Sequence, residues 1–221
     1  MGVMHSDAAG AAGNIYPAGG IDAGILATLM TLDQQKWDRI YRDRGADASQ
    51  AAEVLKHNRH LLPQSGMAMD LACGLGANSL LLAESGLHVR SWDISPVAID
   101  QLSRLAAEQG LPISAEVVDV EQQPPPARSL DVLVVTHFLS RALVPALIAA
   151  LKPGGVLFYQ TYCRDKVAGQ GPSNPDYLLK DNELLTLFAG LKVRVYREES
   201  LLGEHNEGWR DRAMLVAEKP R

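Results

Sequence analysis

The chain has 221 residues and a formal net charge of -5, which suits one ordinary α/β domain and not two large ones. Hydrophobic residues make up 47% of the sequence and charged residues 21%, which excludes wholesale disorder. The acidic balance lacks the basic excess of a protein that binds nucleic acid. The two cysteines, Cys73 and Cys163, lie far apart, so they indicate neither a disulfide framework nor a metal site. We expect a cytoplasmic protein with no membrane span.

The first 30 residues are rich in alanine and glycine and show no hydrophobic period. This composition predicts a flexible arm over residues 1–30. The arm contains no Lys or Arg, whereas a secretory signal begins with positive charge. The composition changes at Met30, and we hypothesise that Met30 is the biological start of the protein.

Helical and strand periods alternate from Leu32 onward. Two helices come first, one that begins at Leu32 and one over residues 51–61. The elements predicted after them are strands over 67–71, 89–93, 115–120, 132–136 and 156–162, and helices over 77–84, 96–109 and 143–151. Strand, helix, strand in sequence indicates parallel strands joined by crossovers. The pattern predicts a doubly wound, mostly parallel Rossmann-like α/β sheet with helices on both faces.

The pattern changes after residue 162. A glycine- and proline-containing loop over 163–177 is long for a compact domain, and loops of this length are usually functional, so we interpret it as a substrate lid. A short helix over 183–188 and strands over 193–196 and 213–217 follow. Too few residues separate the two strands for a crossover helix, which predicts an antiparallel terminal hairpin. The chain from 31 to 221 is therefore one seven-stranded domain, with N-terminal helices (31–63), a ligand-binding core (64–162) and the lid loop with the terminal strands (163–221).

A glycine motif follows the first predicted strand. Gly74 and Gly76 let the backbone approach a ligand closely, and the amides of the next helix face that ligand. Asp70 lies just before them, Asp93 ends the second strand where a carboxylate can bind ribose hydroxyls, and Asp119 ends the third within reach of an adenine amino group. Three acids at successive strand ends favour a nucleoside ligand over solvated loops or helix caps.

The charge of the motif distinguishes between nucleoside ligands. A dinucleotide brings a pyrophosphate to the turn and favours a third Gly or Ala, where this chain has Ser79. Asp70 would also place a carboxylate near those phosphates. S-adenosylmethionine presents an ammonium and a sulfonium there, so a carboxylate favours it. An NAD-dependent oxidoreductase and a catalytically silent adenosylmethionine-binding protein are the alternatives.

From about Trp37 to Lys219 the chain resembles the class I S-adenosylmethionine-dependent methyltransferases. The resemblance rests on the motifs at 70–76, 92–95, 119–120, 131–136 and 151–155. Ala72 departs from the glycine that the family often has. The resemblance implies S-adenosyl-L-methionine as cofactor, a small-molecule substrate and no metal. It assigns donor contacts to Asp70, Ala72, Cys73, Gly74, Gly76, Asn78, Asp93, Ile94, Asp119, Val120, Thr136 and His137.

Within the class, Asn78 with Ser79, Trp92 before Asp93, and residues 203–205 are similar to the tellurite-resistance branch. That similarity implies a tellurite- or selenite-type oxyanion or a thiol as acceptor. Such nucleophiles need little proton transfer. For an acceptor that must lose a proton, His137 and His205 are the candidate catalytic bases.

Five further residues are candidates for the acceptor side. Trp37 and Tyr41 form an aromatic lid or simply pack an appended helix on the sheet. Phe138 follows the fourth strand, where the resemblance implies a place beside the reacting methyl. Arg141 binds substrate or extends along the surface. Arg210 shares a polar loop with His205 and Arg212, a cluster that suits an anion or is merely a solvated loop.

Overall fold

The computed structural model describes residues 23–44 and 50–221. The predicted arm over residues 1–22 lies outside them. The first helix begins at Ala23, inside the predicted arm, and the flexibility of the arm stays a prediction. Alanine, leucine and methionine in this stretch favour helix without an amphipathic period.

The described residues form six α-helices and seven strands. The helices are α1 (Ala23–Arg44), α2 (Glu53–His57), α3 (Ala77–Glu84), α4 (Pro96–Gln109), α5 (Val144–Ala150) and α6 (Glu183–Leu187). The strands are β1 (Met67–Leu71), β2 (His88–Asp93), β3 (Ile113–Val117), β4 (Leu130–Thr136), β5 (Leu151–Tyr162), β6 (Lys192–Arg197) and β7 (Arg212–Glu218). β1, α3 and α4 match their predicted bounds. The signals for α4 are local: Ser95 caps its first turn, Pro96 begins it, and Gly110 ends it in the left-handed region.

All seven strands form one sheet in the order β3-β2-β1-β4-β5-β7-β6. Neighbouring strands from β3 to β5 are parallel, and β7 is antiparallel to both β5 and β6. The predicted doubly wound sheet with an antiparallel terminal hairpin is confirmed. The strand order reverses between β1 and β4, and open α/β sheets bind ligands at the carboxyl ends of the strands beside such a point.

Two strands have an end that differs from its predicted bound by three or more residues. β3 ends at Val117, because the buried Val118 and Val120 that extended the apolar pattern belong to the following loop. β5 begins at Leu151, five residues early, and its pairing with β4 jumps from Leu151 to Val156. The residues between them form a bulge. The sequence did not predict it, because proline and glycine in this segment indicated the end of a helix.

The core lies on both faces of the sheet. On one face Leu133, Val135 and Tyr159 pack beneath α5 and α6, and on the other Val134 and Phe158 pack beneath α2 and α3. Alternate residues of β4 and β5 face opposite layers, as expected for strands buried on both sides. None of the helices in the described part of the chain has the length and apolar character needed to cross a membrane.

Candidate functional site

The turn between β1 and α3 has an unusual backbone. Ala72, Gly74 and Gly76 all have positive φ, at 55°, 53° and 83°. Glycine adopts this region freely, whereas alanine does so only with strain. The turn therefore keeps the shape of the glycine motif even at the position where this sequence has alanine.

Asp70 lies fully buried beneath this turn. Its Oδ2 accepts a hydrogen bond from the Ser79 hydroxyl at 2.7 Å, and the Ser91 hydroxyl donates to Ser79 Oγ at 2.8 Å. Its Oδ1 has no hydrogen-bond partner among the described residues. Burial raises the pKa of the Asp70 carboxyl to about 7, against the hydrogen bonds that lower it. Asp70 is thus a buried acid that a nearby cation would stabilise in its charged form.

Asp93 ties the end of β2 to the same turn. Its Oδ2 accepts the Gly74 N–H at 2.8 Å and its Oδ1 accepts the Ser95 N–H at 3.0 Å. Burial raises the pKa of this carboxyl as well, although the amide hydrogen bonds lower it. In the described residues neither Asp70 nor Asp93 has a Lys or Arg partner. Two buried carboxylates without counter-ions make the turn a favourable place for positive charge.

Four other residues predicted to contact the donor are buried or half-buried. Ile94 is half-buried beside Asp93. Cys73 is buried, and burial raises the pKa of its thiol well above the ordinary value, which suits packing and not nucleophilic attack. Val120 is buried, and Asp119 is half-buried in the loop beyond β3. The Asp119 carboxylate accepts the Glu121 N–H at 2.9 Å, so it caps its own turn, and its predicted contact with adenine stays a prediction.

Helix α1 covers the turn from outside. A methyl group added to Gly74 would meet the Tyr41 hydroxyl at 3.1 Å, so the Tyr41 ring lies directly on the turn. Trp37 stacks on Tyr41 with 5.7 Å between ring centroids, and Asp38 accepts a hydrogen bond from the Ser95 hydroxyl. The predicted aromatic pair is therefore brought to the glycine motif, as the lid interpretation requires.

The other side of the site is assembled from β4, β5 and α2. Asn78 donates to Thr136 Oγ1 at 3.0 Å and accepts the Ala52 N–H at 2.8 Å. Gln160, fully buried in β5, accepts the Val54 N–H at 2.9 Å. Its Nε2 lies 3.4 Å from Nε2 of the exposed His137. These contacts hold the start of α2 against the carboxyl ends of the strands.

An aromatic ring that the sequence did not single out lies next to His137. Tyr162, the last residue of β5, packs its ring 5.2 Å from the His137 ring. The predicted lid loop lies on that ring, since a methyl group on Gly171 would fall 2.5 Å from it. Phe138 is half-buried nearby, and its carbonyl accepts the Tyr159 hydroxyl at 2.8 Å. The sequence did contain a signal for Gln160 and Tyr162. A polar residue within a buried strand and an aromatic residue at the carboxyl end of that strand are both typical of a ligand-binding site.

The lid loop is anchored by Asp211. Its carboxylate accepts the N–H groups of Val167, Ala168 and Gln170 at 2.6–3.2 Å. Burial opposes ionisation, but these hydrogen bonds outweigh it and hold the pKa of Asp211 below its usual range. The loop is thus fixed in one place beside Tyr162.

Two arginines predicted to bind substrate have other partners. Arg141 forms a two-pronged ion pair with Glu183 at 2.7 and 2.9 Å and also donates to the carbonyls of Asp176 and Leu178. Arg210 donates to carbonyls of its own loop, including those of Ser200 and Glu204. The donors of each guanidinium therefore hold a loop in place in this structure, and substrate binding by Arg141 and Arg210 stays a prediction.

The polar cluster predicted around His205 lies in the segment between β6 and β7, where Arg210 donates to the carbonyl of Glu204, next to His205, and its binding of an anion stays a prediction. His205 is exposed, and its Nε2 lies 2.9 Å from the Leu201 carbonyl within the same loop. Of the two candidate bases, only His137 is placed among the residues that surround the carboxyl ends of β4 and β5. Among the described residues no group of His, Cys, Asp or Glu side chains is arranged to hold a metal ion.

Comparisons with known proteins agree with this geometry. A family model described as a methyltransferase domain matches residues 68–155. The ubiquinone biosynthesis O-methyltransferase of Xylella fastidiosa is 31% identical over 179 residues, which cover 70% of this chain and 71% of that protein. The chain belongs to the S-adenosylmethionine-dependent methyltransferase family.

Other similar proteins share less of their length or sequence. Hemagglutinin 1 of Eikenella corrodens is 29% identical over 143 residues, 59% of this chain and 45% of that one. The chain spans 64% of the length of the ubiquinone biosynthesis O-methyltransferase of Coxiella burnetii. The crystal structure of TehB from Haemophilus influenzae has a TM-score of 0.63 at 21% identity and covers 83% of this chain and 67% of that one. This last similarity shows the fold alone.

The residues present fit the donor of this family. S-adenosylmethionine carries a positive ammonium group and a positive sulfonium, and the turn offers the unpartnered Asp70 Oδ1 beside Asp93. A dinucleotide fits poorly, because Ser79 is buried against Asp70 where a pyrophosphate needs close backbone approach.

Proposed function

We propose that the protein transfers a methyl group from S-adenosylmethionine to a small-molecule acceptor. The observation that carries the proposal is the pair of buried carboxylates without counter-ions, Asp70 and Asp93, around a turn with three left-handed residues. Asp93 would hold the ribose, the backbone over 72–76 the amino acid end, and Ile94 with Val120 the adenine face. The chain's likeness to ubiquinone O-methyltransferases supports the reaction class.

The donor supplies an electrophilic methyl group on a sulfonium, which needs no metal for transfer to a soft nucleophile. The work left to the protein is orientation and the exclusion of water. Tyr41 and Trp37 cover the glycine turn, and Tyr162 with the anchored lid loop borders the acceptor side. His137 is the residue we assign as base for an acceptor that must lose a proton. We propose a tellurite- or selenite-type oxyanion or a thiol as acceptor, since both react with little proton transfer.

Calorimetric titration tests the donor directly. We expect S-adenosylhomocysteine to bind with micromolar affinity and NAD not to bind, because the acidic turn repels phosphate. A screen for methyl transfer to selenite, tellurite and small thiols then follows. Binding of NAD without S-adenosylhomocysteine would establish an oxidoreductase instead, and binding of S-adenosylhomocysteine without any transfer would favour a silent binding protein.

Replacing Asp93 with alanine should weaken S-adenosylhomocysteine binding by about 1–3 kcal/mol, since the ribose hydroxyls lose a charged acceptor. Calorimetry on Asp93→Ala measures the loss. Asp131→Asn is the matched control, because Asp131 binds Lys152 and the Met67 N–H at the opposite edge of the sheet. Equal affinities for wild type and Asp93→Ala would show that the ribose lies elsewhere.

A further inference from the structure

Arg212 differs from the other arginines at the carboxyl edge of the sheet. The guanidinium groups of Arg141 and Arg210 are engaged by hydrogen bonds to loops. Arg212, the first residue of β7, makes no side-chain hydrogen bond within the described chain, and its Nε is buried without a partner. Its side chain is 26% exposed. The guanidinium therefore has hydrogen-bonding capacity that no group in the described chain uses.

Two contacts hold the Arg212 side chain in place. The guanidinium carbon lies over the buried Trp209 ring, 5.1 Å from the centroid. The nitrogen Nη2 lies 3.6 Å from Glu53 Oε2, which is too long for a hydrogen bond, and this Oε2 has no other partner. The ion pair is thus loose, and the aromatic platform orients the cation without using its donors.

Arg212 lies next to the residues around His137. It pairs across the sheet with Tyr162, whose ring packs on the His137 ring. Glu53 precedes Val54, whose N–H donates to Gln160, and Gln160 lies against His137. Glu53, Gln160, Tyr162 and Arg212 therefore surround one region on the acceptor side of the site.

We propose that Arg212 anchors a methyl acceptor that carries a negative charge, a carboxylate or an oxyanion, and that this anion replaces Glu53 as the partner of the guanidinium. The inference rests on the proposed methyl transfer and names its acceptor class. A planar guanidinium with unused donors binds such groups in a two-pronged manner. Glu53, at the first turn of α2, acts as a built-in competitor that neutralises Arg212 in the absence of acceptor.

Substitutions of Arg212 and of Glu53 should change the affinity for an anionic acceptor in opposite directions. The probes are thioglycolate, an anionic thiol, and 2-mercaptoethanol, its neutral counterpart, titrated calorimetrically into protein saturated with S-adenosylhomocysteine. Wild type should bind thioglycolate in preference. Arg212→Met should lose that preference, with thioglycolate affinity reduced at least about tenfold, because a charged hydrogen-bond partner is removed. Glu53→Gln should bind thioglycolate about threefold to tenfold more tightly, because the competing charge is gone. Selenite, titrated in the same way, separates an oxyanion site from a carboxylate site.

Arg194→Gln is the control for net charge, because Arg194 pairs with Glu218 on the edge strand β6. It should keep the wild-type preference. Equal losses in Arg194→Gln and Arg212→Met, or a Glu53→Gln variant that binds anions no better than wild type, would overturn the proposal. The measurement on Glu53→Gln tests the proposal even if Arg212→Met fails to fold. Failure of S-adenosylhomocysteine to bind wild type would instead overturn the proposed methyl transfer.

Discussion

Replacing Gly76 with alanine is expected to lower the free energy of unfolding by about 2–5 kcal/mol, the combined cost of a left-handed alanine and an overpacked core. Gly76 has a φ of 83°, and a Cβ there would lie 2.3 Å from Leu102 Cδ1. Leu102 is fully buried in α4, so it has little room to move. Urea denaturation of wild type and Gly76→Ala measures the loss.

Gly110→Ala is the matched control for this substitution. Gly110 also has positive φ, at 63°, but a Cβ there meets nothing within 4 Å. Only the backbone cost remains, about 1–2 kcal/mol. Equal losses in the two variants would show that α4 and the glycine turn do not pack as closely as described.

Replacing Asp70 with asparagine should stabilise the protein at neutral pH and leave it unchanged in acid. The pKa of Asp70 is about 7 in the folded chain and 3.8 ordinarily, so the folded state keeps a proton that the unfolded state releases. The stability from that proton is complete below pH 4 and is lost as the pH rises to about 7, by up to about 1.4 kcal/mol per pH unit. Asparagine mimics the neutral acid and does not titrate.

The measured quantity is the difference in unfolding free energy between Asp70→Asn and wild type from pH 4 to pH 8. We expect it to rise from near zero to a plateau of about 2–4 kcal/mol above pH 7. A difference independent of pH would mean that Asp70 is ionised throughout this range in the folded protein.

The parts of the fold that sequence reasoning predicted well depend on local signals. The helix α4 has a cap, a proline and a terminal glycine at its own ends, and β1 is a short buried run, apolar except for Asp70, that leads into the glycine turn. The bounds of β3 and β5 depend on pairing partners instead. The register jump of β5 at Val156 depends on its pairing with β4, in which Val156 lies opposite Val132, 24 residues earlier in the chain. No pattern in the sequence near Val156 predicts this jump.

The candidate site shows the same division. The positions of Asp70, Gly76 and Asp93 follow from strand ends that the sequence marks. The partners of Arg141 do not, since Glu183 lies 42 residues further along the chain. An arginine in a sequence does not reveal whether its donors will bind a loop or a ligand. The sequence names Arg212 only as a member of the polar cluster near His205, and the structure adds that, unlike Arg141 and Arg210, it donates to no loop in the described chain.

The reversed direction of β7 has a consequence for how acceptor preference can change. Because β7 is antiparallel to its neighbours, its first residue lies at the same edge of the sheet as the last residues of the parallel strands. The loop that precedes β7 lies at that edge as well. The segment between β6 and β7 is thus attached to the sheet at its rim, outside the crossovers that build β1 to β5. Insertions and substitutions in this segment leave the strands and helices that form the donor site unchanged. We therefore expect natural divergence, or a directed library, to change acceptor preference in this hairpin with the least loss of folding stability.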